Sequence, residues 1–213
     1  KMNLDLNQLV KWRREFHRFP EIGWSEFWTT SRIADYLEDL GCFEIFLGKQ
    51  IINPDFVRGR KQAVVDKGLA NAKAYGANEK WLEKMEGYTG CVALFDSGKP
   101  GKTIALRFDI DCVNVTETRS SEHIPNKEGF ASINDGFMHA CGHDSHITIG
   151  LGVALWIAQN KDKLTGKVKI VFQPAEEGVR GAAAIAQSGI IDDADYFASS
   201  HISFCANTGT VIA

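Results

Sequence analysis

Three short apolar runs organise the second half of this sequence: Thr103-Ile-Ala-Leu-Arg-Phe108, Lys167-Val-Lys-Ile-Val-Phe172 and Tyr196-Phe-Ala-Ser-Ser200. Their length and their β-branched or aromatic content mark strands. Stretches of helical character, residues 147–160 and 180–188, lie between them. A chain that alternates strand and helix in this way folds as an α/β domain, with a mixed sheet flanked by helices. A fourth run, Cys91-Val-Ala-Leu-Phe95, comes earlier, and the turn-forming Asp96-Ser-Gly-Lys-Pro-Gly101 that follows it predicts a hairpin with 103–108. A last strand is expected over 208–213, and a long loop over 109–146.

The first half reads as helical. Residues 5–19 carry Leu6, Leu9, Val10 and Phe16 on one face and stop at Pro20. Residues 25–40 present Phe27, Ile33, Ala34, Leu37 and Leu40, with Gly41 placed to end the helix. Residues 49–87 are more polar, and Gly59, Gly68 and Gly76 weaken their helical pattern, as expected of an insertion or a partly exposed helical layer.

With 213 residues, of which 44% are hydrophobic, the chain can bury a sizeable core, so disorder is excluded. A net charge of −3 argues against nucleic acid or an anionic membrane as the partner. No apolar run reaches the roughly 18 residues of a membrane-spanning helix. The N-terminal residues lack the apolar stretch of a signal peptide, so a cytoplasmic protein is expected. Five cysteines, never in a CxxC pair, do not form a disulfide framework.

Chemistry concentrates in a few places. Three of the six histidines fall in Met138-His-Ala-Cys-Gly-His-Asp-Ser-His146. In an extended segment, Cys141 and His143 leave the same face, and thiolate with imidazole suits zinc and other late first-row divalent metals. His139 and His146 could equally cap the following helix. Adjacent carboxylates, Glu176 and Glu177, follow the strand that ends at Phe172. Alone they would read as a solvated acidic turn. Beside a metal, one would bind the ion while its neighbour accepts a proton from water. His201 follows the strand 196–200, and Asp109 and Asp111 follow 103–108, where they could support a site. Asp109 and Asp111, Glu176 and Glu177, and His201 each lie just past the C-terminal end of an expected strand, the edge where α/β sheets gather ligands. A hydrolytic metal centre is the reading that unites them.

The motifs Met138-His-Ala-Cys-Gly-His-Asp144 and Phe172-Gln-Pro-Ala-Glu-Glu-Gly178 resemble the two signatures of the M20 metallopeptidase family, in its amidohydrolase branch. Arg14-Glu-Phe-His-Arg-Phe-Pro-Glu21 and Arg107-Phe-Asp-Ile-Asp111 resemble that branch's N-terminal helix and first acidic motif. Within the branch, the segment 49–87 with Glu86-Gly-Tyr-Thr-Gly-Cys91, Lys127-Glu-Gly-Phe-Ala-Ser132 and Asp192-Asp-Ala-Asp-Tyr-Phe197 resembles a subgroup that cleaves p-aminobenzoyl-glutamate.

The resemblance implies that Cys141, His143, Glu177 and His201 are metal ligands and that Glu176 is the general base and later the proton donor. It implies two divalent ions, Zn, Mn or Co, in the complete active site, and an N-acyl amino acid as substrate. Hippurate-like or N-acetyl compounds are the alternative substrates. It also implies a homo-dimer or hetero-oligomer when complete. Family members run to roughly twice this length, with a lid domain and a further histidine ligand. Residues 1–213 are therefore expected to form the N-terminal part of the catalytic domain, incomplete, with the lid domain absent. Alone, such a chain is expected to be an inactive metal-binding fragment.

Overall fold

The computed structural model describes residues 5–203 and 205–212. Helix α1 spans Leu6–Arg18, and its N-terminus is capped by Asp5, whose carboxylate accepts from the Asn7 amide. It buries Trp12, Phe16 and His17. Helix α2, Phe27–Leu40, ends at Gly41 in the left-handed conformation, as its sequence predicts. Its start is capped from outside the helix. The carboxylate of Glu21, six residues upstream of Phe27, accepts from the amides of Trp28 and Thr29 at 3.2 and 2.8 Å.

Burial pushes Glu21 up to about 8, against the pull of those amide bonds. A carboxyl raised in the folded state stabilises the fold fully below its ordinary value of 4.5 and loses that contribution as pH rises through about 8. The thermal midpoint should therefore fall as pH rises between about 5 and 8. Glu21→Gln, which keeps an acceptor and removes the titration, should flatten that slope. An unchanged slope in a melting series across this range would refute the assignment.

Residues 44–87 are partly exposed, with a set of apolar side chains turned into the core. After strand β1, Glu44–Leu47, two short 3₁₀ turns lead to α3, Gln62–Ala74, and α4, Glu79–Lys84. Val65, Ala72, Trp81, Leu82 and Met85 join the main core. Gly68 of α3 approaches α2's entry so closely that a Cβ would lie 2.6 Å from that of Ser25. The Trp81 indole and the Asn78 side-chain amide both donate to Asp35 of α2.

The remaining elements are β2, Cys91–Asp96; β3, Thr103–Asp109; α5, Ile124–Lys127; α6, His143–Asn160; β4, Lys167–Gln173; α7, Ala182–Ala186; and β5, Tyr196–Ser199. They complete a mixed five-stranded sheet in the order β1-β2-β4-β3-β5. The hairpin expected between 91–95 and 103–108 does not form. Instead β4 lies between the two, antiparallel to β2 and parallel to β3. The reason is burial: Ile170 to Gln173 are buried throughout, which suits a central strand and not an edge. The loop 97–102 bridges over the entry to β4, bonding to it through Gly166 N to Lys99 O and Lys167 N to Lys102 O.

Period-two alternation puts Ile170 and Phe172 of β4 on the face covered by α2 and α6, with α1 packed against α6, while Val171 meets Ile51, Ile52, Ala184 and Ile185 on the other. Two further expectations need correction. No strand forms over 205–212, where Asn207 and Thr210 close a turn and Val211 and Ile212 stay exposed; Ala213 lies outside the described residues. The helix predicted over 180–188 is confined to Ala182–Ala186. Among the described residues, no helix is long and apolar enough to cross a membrane.

Candidate metal centre

Strands β3, β4 and β5 run parallel, so their C-terminal ends open on one edge of the sheet. That single fact brings Asp109 and Asp111, Glu176 and Glu177, and His201 together. The Cys141 segment reaches the same edge by a different route from the one its sequence suggests. It is not extended: Gly142 adopts φ +86° as the cap of α6, and His143 is the first residue of that helix. Gly142 is needed there for a second reason, since a Cβ would overlap the Ile202 side chain. Both Cys141 and His143 still face the site, now on either side of a left-handed residue.

The donors cluster in overlapping groups. Cys141 Sγ lies 3.4 Å from His201 Nε2, and one ligand atom from each of Cys141, His143 and His201 falls within 4.8 Å of the others. His143 Nε2 is 3.9 Å from Glu176 Oε2 and 3.9 Å from Glu177 Oε1. Asp109, His143 and His146 form a third group. His143 is fully buried, and among the described residues neither its Nε2 nor the buried Glu177 Oε1 has a hydrogen-bond partner. Buried polar atoms left unpaired are costly, about 1–3 kcal/mol each. A divalent cation taking a lone pair from each would satisfy them, and the mixed sulfur, nitrogen and oxygen set fits such an ion.

Electrostatics agree with this. Burial, then the neighbouring Glu177 and Glu176, push the Cys141 thiol up to about 12. A thiolate there requires a cation beside it. Burial, then the charge of Asp109, also raises Glu176 above the usual carboxylate range. Burial would pull the His143 imidazole down, but the bonds and charge of Asp111 outweigh it and raise His143.

The residues that support these donors were only partly legible in the sequence. Asp111, fully buried, fastens two segments at once. Its backbone carbonyl accepts from His143 Nδ1 at 2.8 Å, and its carboxylate accepts from the Glu176 and Glu177 amides at 3.0 Å each. His146 is no helix cap. It lies buried beside Asp109, and its Nε2 accepts from the Ile202 amide at 3.1 Å, which anchors the loop carrying His201. His139 is also buried, with both nitrogens unpartnered, and burial lowers it to about 4, so its ring stays neutral.

Sequence reasoning missed Glu26 and the His17 network. Glu26 is fully buried; its Oε1 accepts from the Ala175 amide at 2.8 Å, and Thr89 Oγ1 lies 2.6 Å from its Oε2. Burial and the charge of Asp111 push it up to about 8. Ala175 itself has φ +50°, a left-handed conformation costing an alanine roughly 1–2 kcal/mol. His17 bridges Asp144 at 2.7 Å and Glu117 at 3.0 Å, which ties α1 to the first turn of α6. An aligned set of related sequences is the signal that could have exposed these residues; no local pattern does.

A model of peptidase family M20/M25/M40 matches residues 105–212, just over half of the chain. The chain belongs to this family. A Haemophilus influenzae protein, described as homologous to a p-aminobenzoyl-glutamate hydrolase subunit, is 99% identical across the whole chain, which covers 50% of that protein. The corresponding p-aminobenzoyl-glutamate hydrolase subunit of Escherichia coli is 42% identical over 96% of the chain and 47% of its own length. Among solved structures, an aminobenzoyl-glutamate utilization protein from Klebsiella pneumoniae superposes with a TM-score of 0.76 at 35% identity, over 94% of this chain and 44% of that one. A dinuclear metal binding M20 peptidase from Bacillus subtilis gives 0.68 at 28% identity, over 92% and 43%. This M20 chain thus spans about half the length of the curated relatives it matches. The α/β architecture with a mixed sheet is shared with these M20 structures.

Proposed function

We propose that this chain supplies most of the metal centre of an amidohydrolase that cleaves p-aminobenzoyl-glutamate. Residues 1–213 would form the N-terminal part of its catalytic domain, with an insertion at about 49–87. The observation that carries the reading is the pair of buried, unpartnered atoms His143 Nε2 and Glu177 Oε1, 3.9 Å apart beside Glu176. Cys141, His143, Glu177 and His201 are the ligands in this reading, for up to two ions. Bound ions supply Lewis acidity, which polarises water and the amide carbonyl. Glu176, whose raised proton affinity suits the task, takes a proton from the attacking water and returns it to the leaving nitrogen. The amide bond to nitrogen breaks, giving a free carboxylate and an amine.

The choice of substrate rests on the relatives named for p-aminobenzoyl-glutamate, and their description as subunits supports assembly into an oligomer. The test compares substrates in a chain of the relatives' full length that carries these residues. Release of p-aminobenzoate from p-aminobenzoyl-glutamate should exceed release of benzoate from hippurate or acetate from N-acetyl amino acids. A chelator should abolish it, and Zn, Mn or Co should restore it. Faster turnover of hippurate or N-acetyl substrates would assign the alternative, and full activity in chelator would remove the metal from the reaction.

A further inference from the structure

Two buried carboxyl groups hold the amides of three consecutive residues, Ala175, Glu176 and Glu177. Asp111 takes the second and third, and Glu26 takes the first. Ala175 is itself fully buried, so no solvent can replace Glu26 as the partner of its N–H. Glu26 is in turn fixed from its far side by the Thr89 hydroxyl. The adjoining Gly90 lies so close beneath the turn that a Cβ would sit 2.5 Å from Pro174 Cδ.

We propose that Glu26 is a positioning residue for the Glu176–Glu177 pair, holding Ala175 in its left-handed conformation through the amide and so aiming both carboxylates at the site. The proposal rests on the reading of that pair given above. The strain at Ala175 and the bond that offsets it are of similar size, so losing the bond loosens the turn at Ala175. Asp111 still holds the next two amides, and the Arg180 and Gly181 amides still hold the Ala175 carbonyl. Glutamine at position 26 retains an acceptor for the Ala175 amide and a polar partner for Thr89. Leucine retains neither.

The experiment measures amide hydrogen exchange residue by residue, and Co²⁺ affinity by absorption titration, in this chain and its Glu26→Leu and Glu26→Gln variants. In Glu26→Leu, the amides of 175–177 should exchange at least about tenfold faster while those of β4 keep their protection. Co²⁺ should bind about 10–100-fold more weakly. Glu26→Gln should resemble the parent in both. If Glu26→Leu does not fold, Thr89→Val should give the same local pattern at smaller amplitude. Protection at 175–177 that is unchanged, or lost equally across the sheet, would overturn the proposal. If the parent chain binds no Co²⁺, the metal reading fails, and the exchange pattern still decides the role of Glu26.

Discussion

Glu176→Gln in a chain of the relatives' full length is expected to slow amide hydrolysis by about 10²–10⁴-fold while leaving metal content unchanged. The reason is both geometric and chemical. Glu176 Oε2 stands 3.9 Å from His143 Nε2, beside the proposed ligands, and a glutamine there has nearly the same shape. What glutamine cannot do is hold a proton between the attack on the carbonyl and the departure of the nitrogen. Glu177→Gln should behave differently. It removes a proposed ligand charge, so metal content should fall along with rate. Metal analysis beside steady-state rates separates the two. Ordinary turnover by Glu176→Gln would move the base elsewhere.

The second large effect is steric. Gly181 has no room for a side chain, because a Cβ would overlap Pro174 O, and its amide donates to Ala175 O at 2.8 Å. Its φ of −95° is open to any residue, so Gly181→Ala acts through contact alone. The obstacle is backbone and cannot rotate away, so the turn 174–177 must shift. A cost of about 2 kcal/mol or more follows, which lowers the melting temperature by roughly 4–8 °C in a domain of this size. Because that turn carries Glu176 and Glu177, metal affinity should weaken in the same variant. Gly98→Ala is the control. Nothing lies within 4 Å of its Cβ position, so only its positive φ is at stake, about 1 kcal/mol, and the site should be untouched. A Gly181→Ala protein no less stable than Gly98→Ala would contradict the packing argument.

Much of this molecule is written locally. The faces of α1 and α2, the stop at Gly41, the runs of β2 to β5 and the donors just beyond them all follow from residues a few positions apart, because side-chain period and turn chemistry are short-range properties. Donor chemistry is equally local: thiol, imidazole and paired carboxylates are the side-chain types that suit a divalent ion.

Tertiary structure alone decided what no window of sequence contains. A turn-rich link between two strands reads as a hairpin, yet β4, some sixty residues on, takes the place between β2 and β3, since only a central position buries it on both faces. His143 reads as loop, yet it opens α6, because Gly142 turns the chain and Asp111 from the end of β3 receives its ring nitrogen. The carboxyls of Glu21 and Glu26 carry no local signal, and become a remote cap and a brace for Ala175 only when the chain is closed around them. Buried polar groups must find partners wherever the fold supplies them, and that requirement, acting over sequence separations of up to 149 residues, sets the geometry of the site.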